Sequence, residues 1–110
     1  SIKRIVFICS PYAGDVEANT RRARRYCRFA MEQGYVPIAP HLLFPQFLND
    51  DDPIERELGL SFGNALLSKC DEIWVFGRTI STGMKAEIEQ ARRKNLRLRY
   101  FTEDCEEVQK

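Results

Sequence analysis

Four short apolar runs, each bounded by turn residues and separated by helix-length segments, constrain this chain more than any other feature. Lys3 to Cys9, Tyr35 to Ala39, Glu72 to Phe76 and Leu96 to Phe101 read as strands. Between the first two, Val16 to Gln33 sets Ala23, Tyr26, Cys27, Ala30 and Met31 at helical spacing, with arginines elsewhere, and Gly34 stops it. Pro53 to Lys69 has a proline in its first turn and Ile54, Leu58, Phe62, Ala65 and Leu66 along one stripe. Gly83 to Lys94 turns Met84, Ile88 and Ala91 to one side. Strands joined by helices pair in parallel through right-handed crossovers, with helices on both faces. The expectation is a doubly wound α/β fold of the flavodoxin or Rossmann kind, with three layers (α/β/α) and a parallel sheet of about four to five strands. The 110 residues fit a single domain, 1–110, without internal repeats.

Charge and cysteine usage narrow the class. Seventeen basic residues against sixteen acidic ones leave a net charge of +1, too little for a field that draws the whole chain to nucleic acid or an anionic membrane. Arg21, Arg22, Arg24, Arg25 and Arg28 crowd one helix, which with the balanced overall charge reads as a solvated face, so nucleic acid is not expected as a partner. No apolar run approaches the ~20 residues of a membrane span, and the segment from Ser1 to Ile8 is too short for a signal sequence. A cytoplasmic protein is expected. Cys9, Cys27, Cys70 and Cys105 lie far apart, and His41 is the single histidine, so neither a metal site nor a cofactor is anticipated and the cysteines read as reduced thiols. The polar tail, Glu103 to Lys110, is expected to fray or to pack on a partner subunit.

In an open parallel sheet, ligands bind outside the carboxyl ends of the strands. Three segments converge there: Ser10 to Asp15, Pro40 to Asp52, and Gly77 to Gly83. The prolines and aromatics from Pro40 to Phe47 suit a wall over a flat ligand. Ser81 and Thr82 open a helix whose free amides suit a phosphate or sugar oxygen, a reading that competes with plain N-capping. Glu87, one turn further on, is either a carboxylate overlooking the crevice, able to act as nucleophile or to stabilise an oxocarbenium ion, or an ordinary first-turn acid. Glu89 fits the ordinary role.

Asp71-Glu72-Ile73-Trp74-Val75, followed by Ser81-Thr82-Gly83-Met84, Glu87-Ile88 and Ala91, resembles the nucleoside 2-deoxyribosyltransferase superfamily, which includes the 2′-deoxynucleoside 5′-phosphate N-hydrolases. The resemblance implies that Asp71 opens the third strand, that Glu87 is the catalytic glutamate, and that Cys9-Ser10-Pro11-Tyr12 begins the loop for nucleobase and sugar, with Tyr12 as its catalytic tyrosine. More narrowly, Pro11 to Asp15, Ala39 to Gln46 and Cys70 to Gly77 resemble uncharacterised bacterial and phage-associated relatives of that superfamily. The ligand implied is a small-molecule nucleoside or nucleotide. Its contacts would come from Cys9, Ser10, Pro11, Gly14, His41, Phe44, Asp71, Gly77, Ser81, Thr82, Gly83 and Met84, with His41 or Phe44 flanking the base. The family's habit of building sites between subunits, and the poorly covered edges of so small a sheet, imply a homodimer or larger assembly.

One position departs from the pattern. Where the N-hydrolases carry a second catalytic aspartate, this chain has Gly63 beside Asn64, leaving Glu57, Asn64 or Asp50 to Asp52 to take its part. Two functions therefore stand side by side: N-glycosidic bond processing by Glu87, as transferase or hydrolase, and non-catalytic capture of a nucleotide.

Overall fold

The computed structural model describes residues 2–109; Ser1 and Lys110, at the ends of the first and last segments read above, lie outside the described residues. At its centre, β1 (Ile5–Cys9) pairs in parallel with β3 (Glu72–Phe76), Val6 lying opposite Glu72 and Cys9 opposite Val75. Every residue of β3 and all of β1 except Ile5 is buried. Burial on both faces explains why these segments read as continuous apolar runs rather than alternating ones.

β2 (Val36–Ile38) adds to the outer side of β1 and β4 (Arg97–Phe101) to the outer side of β3, both in parallel. A fifth strand, β5 (Glu107–Val108), pairs antiparallel with β4, and the order across the sheet is β2-β1-β3-β4-β5. The chain leaves β1 through α1 (Val16–Glu32), reaches β3 through α2 (Pro53–Leu67), and leaves β3 through α3 (Thr82–Arg93). Because the connections from β1 and β3 run in opposite directions, the switch point of the sheet, where a crevice opens, lies between those two strands.

The two faces have separate cores. Val6, Ile8, Trp74, Phe76 and Phe101 meet Tyr26 and Ala30 of α1. Phe7, Cys9, Ile73 and Val75 meet Leu67 of α2 and Met84, Ile88 and Ala91 of α3. This is the expected α/β/α layering, and no helix of the described residues is long and apolar enough to cross a membrane. Local signals set the helix ends. Asp15, Asp52 and Ser81 cap α1, α2 and α3 through their side chains, Pro53 fills the first position of α2, and Gly34 takes φ +89° just past α1.

Two expectations are corrected. The stripe on α2 does not face the sheet along its length: Ile54 is 74% and Leu58 42% exposed, and Leu67 is the helix's one buried residue. Only the last turns of α2 reach the core; its middle rests on the preceding connection, where Phe62 meets Phe44 at 5.4 Å. An apolar stripe shows that a face needs cover without showing that the chain's own sheet supplies it. The tail folds back on the sheet instead of fraying over its described length. Cys105, at φ +64°, turns it back, Thr102 N–H donates to the Glu106 carbonyl at 2.8 Å, and Arg99 grips Glu107 with two bonds of 2.8 and 2.9 Å.

At the start of β3 lies a buried carboxyl. Glu72, 2% exposed, accepts from the Trp74 indole at 2.9 Å and the Tyr35 hydroxyl at 3.1 Å, with the Arg97 guanidinium 4.0 Å away. Arg99 covers the same indole, its guanidinium carbon 4.7 Å from the ring centroid. A buried carboxylate is tolerated only while its acceptors are filled. Trp74→Phe, which keeps a ring but deletes the indole donor, is therefore expected to cost about 1–3 kcal/mol in urea unfolding; a loss smaller than that of an exposed substitution would refute the role given to this bond.

Candidate active site

Three connections meet at the carboxyl end of the sheet, each pinned by its own polar contacts. Asn19 of α1 donates to the carbonyls of Tyr12 and Ala13 at 2.9 and 3.2 Å, fixing the loop after β1. His41, in a 3₁₀ turn (Pro40–Leu42) after β2, places Nε2 at 2.8 Å from the Ser10 carbonyl. A carbonyl can only accept, so Nε2 carries the proton and a neutral ring leaves Nδ1 as acceptor. Burial holds the His41 pKa below its ordinary value, outweighing the Ser10 bond and the negative charge of Asp50. Tyr12 stacks on His41 with centroids 4.9 Å apart and planes 25° from parallel. Burial, and then Asp50, push the Tyr12 phenol up, so it stays protonated. The third connection turns at Gly77, whose φ of +96° suits glycine and whose N–H donates to the Phe101 carbonyl at 2.9 Å.

Glu87 lies on the inner side of α3, one turn past Met84 and partly covered. Burial raises its carboxyl to about 7, against a smaller lowering by a hydrogen bond from the Cys9 thiol. Cys9, fully buried at the end of β1, has its thiol raised well above the usual range by burial and by the charge of Glu87. Cys9 is the last residue of β1, so it lies at the carboxyl end of the sheet. A carboxyl with its midpoint near neutrality exchanges readily between an ionised, nucleophilic form and a protonated one.

The remaining predicted contacts sort by position. Ser10 is 2% exposed, and its Oγ has no hydrogen-bond partner among the described residues; it faces a hollow of about 20 Å³ beside Asn19, Arg22, Tyr26 and Gly77, room for one water. Pro11 borders the same hollow, while Gly14 takes φ +96° in the exposed turn beyond. The Ser81 hydroxyl accepts from the Met84 N–H at 3.2 Å and so serves as a cap, with Thr82 and Gly83 exposed beside it. Met84 and Cys9 lie under the floor, 2% and 0% exposed, and shape the site from below. Phe44 packs on Phe62 and Phe47. Tyr12 and Glu87 share no hydrogen bond among the described residues; the tyrosine's ring partner is His41.

Asp71 requires a correction. Its carboxylate accepts from the Ile5 N–H at 2.7 Å, and its own N–H donates to the Ile5 carbonyl at 2.8 Å. It clamps the amino ends of β1 and β3, a strand length from the crevice, roughly 15 Å at about 3.3 Å per residue. A motif position before a strand lies at the end opposite the ligand, whatever its chemistry. Asn19 and the pairing of Cys9 with Glu87 escaped sequence reasoning, since neither has a local spacing signal. Among the described residues no group of three or more His, Cys, Asp or Glu side chains is placed to hold a metal ion.

The raised carboxyl makes a signed prediction for stability. Unfolded, Glu87 releases its proton near the ordinary 4.5; folded, it keeps it to about 7. Between those values the native state binds more protons, so stability contributed by the neutral carboxyl is complete at low pH and is lost as pH rises to about 7. Glu87→Gln should raise stability over the parent by on the order of 2 kcal/mol at about pH 8 and by far less near pH 4.5. Equal differences at both pH values in chemical denaturation would contradict the burial of this group.

The fold has a solved counterpart. The 2-deoxyribosyltransferase from the psychrotolerant bacterium Bacillus psychrosaccharolyticus superposes with a TM-score of 0.74 over 89% of this chain and 72% of that one, at 11% sequence identity, which is a likeness of fold. No curated protein matches the sequence. Residues 4–101 match the family described as Domain of unknown function (DUF7768), and over that span the match makes the chain a member of that family.

Proposed function

We propose that this domain processes the N-glycosidic bond of a nucleoside or nucleotide, as a deoxyribosyltransferase or N-hydrolase, with Glu87 as nucleophile. The observation that carries the reading is the partly buried carboxyl of Glu87, raised to about 7, at the strand ends of a fold shared with a 2-deoxyribosyltransferase. In the reaction, a Glu87 carboxylate oxygen bonds to C1′ as the bond from C1′ to the base nitrogen breaks. The electron pair leaves with the base, which takes up a proton from solvent. The resulting glycosyl ester is opened at C1′ by water or by a second base, and the carboxylate is regenerated. The Tyr12 and His41 rings offer a stacked edge for a flat base, and Nδ1 of His41 offers it an acceptor.

Incubation with the deoxynucleosides and their 5′-monophosphates, followed by chromatography for free base, tests the reading. Release is expected to climb with pH through a midpoint of about 7 as Glu87 ionises. Glu87→Gln should reduce it about a thousandfold. Release that is unchanged in Glu87→Gln would eliminate the glutamate as nucleophile.

One observation favours capture without turnover. Gly63 stands where the resembled N-hydrolases carry a second carboxylate, and a Cβ built there meets nothing within 4 Å, so the position is open rather than filled by a substitute. On this second reading, equilibrium dialysis retains a nucleotide that chromatography recovers unchanged.

Self-association through α2 completes the proposal. Ile54 and Leu58, with Pro53 beside them, line a shallow apolar depression on the exposed stripe, and a second copy of this chain would cover it. Light scattering at micromolar concentration should give a mass above 12.8 kDa that falls to that value in an Ile54→Arg, Leu58→Glu double variant. A monomer before substitution would rule this out.

A further inference from the structure

Ser10, the residue after β1, has its carbonyl held and its hydroxyl unpaired. The carbonyl accepts from His41 Nε2 at 2.8 Å, while the buried Oγ finds no partner among the described residues. It opens on the α1 side of the sheet, into the hollow of about 20 Å³ at the switch point between β1 and β3. Asn19, Arg22 and Tyr26 of α1, Gly77 after β3 and Glu103 after β4 line that hollow. Asn19 is committed elsewhere: its amide nitrogen serves the Tyr12 and Ala13 carbonyls, and its oxygen accepts from Arg22 Nη1 at 3.2 Å. Glu103 is gripped twice by α1, through its carbonyl by Arg25 at 2.8 Å and through its carboxylate by the Arg22 guanidinium at 3.6 Å. Its side chain lies over Gly77, where an added Cβ would meet the Glu103 Cγ at 3.8 Å.

We infer that this hollow is the binding site of one resident water molecule, which joins the Ser10 hydroxyl to Arg22 of α1 and to Glu103 of the turn after β4. Volume, charge and hydrogen bonding select that occupant. A water needs about 10–15 Å³ of such space, so the hollow takes one and not a larger molecule. Arg22 and Glu103 face the space with opposite signs and already balance each other, so an anion would meet the carboxylate and a cation the guanidinium. An apolar occupant would leave the Ser10 hydroxyl buried and unpaired. Water accepts from Arg22, donates to Glu103 and takes either role toward Ser10, so each partner is served. Tyr26 brings a further polar group to the wall. Burial, and then the charge of Glu103, push its phenol up to about 12 against the opposing charges of Arg25 and Arg22, so it keeps its proton. The water ties the loop after β1, α1 and the turn after β4 into one unit, and with the His41 bond it fixes Ser10 from both sides. The site goes beyond the glycosyl-transfer reading and stands without it.

A high-resolution crystal structure of the parent chain tests the assignment. It should show one density peak at about 2.5–3.2 Å from Ser10 Oγ and at a similar distance from Arg22 or Glu103. A hollow without a peak, a peak that reaches Ser10 alone, or a Ser10 hydroxyl bonded directly to protein overturns the inference. A second crystal, soaked in sodium bromide, separates water from an anion: no anomalous signal is expected in the hollow, and a bromide peak there would replace the water with a halide. In solution, oxygen-17 relaxation dispersion counts the waters that tumble with the protein. Ser10→Val, which removes the hydroxyl and fills the space, should lower that count by one relative to the parent, and an equal count contradicts the site. Should Ser10→Val fail to fold, the two crystals of the parent decide.

Discussion

The pairing of β1 with β3 is the constraint on which the molecule depends. Both strands are covered on both faces, so each residue must satisfy a helix layer on one side or the other, and a slip of one position would exchange the two cores. Trp74 and Phe76 belong with α1, Ile73 and Val75 with α2 and α3. The same pairing sets the polar ends. At the amino end it aligns Asp71 with Ile5 as a clamp; at the carboxyl end it brings Cys9 level with Val75 and next to the first turns of α3. Glu87, three residues beyond Met84 on α3, owes its place near the end of β1 to that register.

The electrostatics divide in the same way. Among the described residues a buried acidic group, Glu72, and a partly covered one, Glu87, are treated oppositely. Glu72 is surrounded by donors from Trp74 and Tyr35 and by a nearby guanidinium, an arrangement that satisfies charge and locks strands together. Glu87 stands between Met84 and Ile88, which belong to the apolar core, and burial there raises its carboxyl to about 7. Full satisfaction marks a structural group; a carboxyl raised by burial marks a candidate for chemistry.

Sequence patterning made the architecture legible wherever burial was complete. The four longer strands and three helices fall within a residue or two of their expected limits, because continuous apolar runs, aspartate and serine caps, and Gly34 are local signals. β5 was invisible, being two polar-flanked residues held by Arg99 and a turn at Cys105. The α2 stripe was legible as apolar but its partner was not, since periodicity names a face and not what covers it. In the crevice, the gathering of the loops after β1, β2 and β3 followed from topology alone. What could not be read was which side chains touch: Tyr12 finds His41, Ser81 is spent on a cap, and Glu87 finds a cysteine from the far end of the chain.

The rims of the sheet carry a consequence for how copies of this domain can meet. On one side β2 is three residues long with Pro37 at its centre, so the outer row lacks a donor where a visiting strand would most need one. On the other, β5 runs backward, spans two residues and begins with a glutamate already gripped by Arg99. Among the described residues neither rim offers a template long enough to recruit a foreign strand. Hydrogen-bonded lamination, the route by which open sheets so often run together into fibrils, is thereby closed at both margins, and contact between molecules is left to side chains.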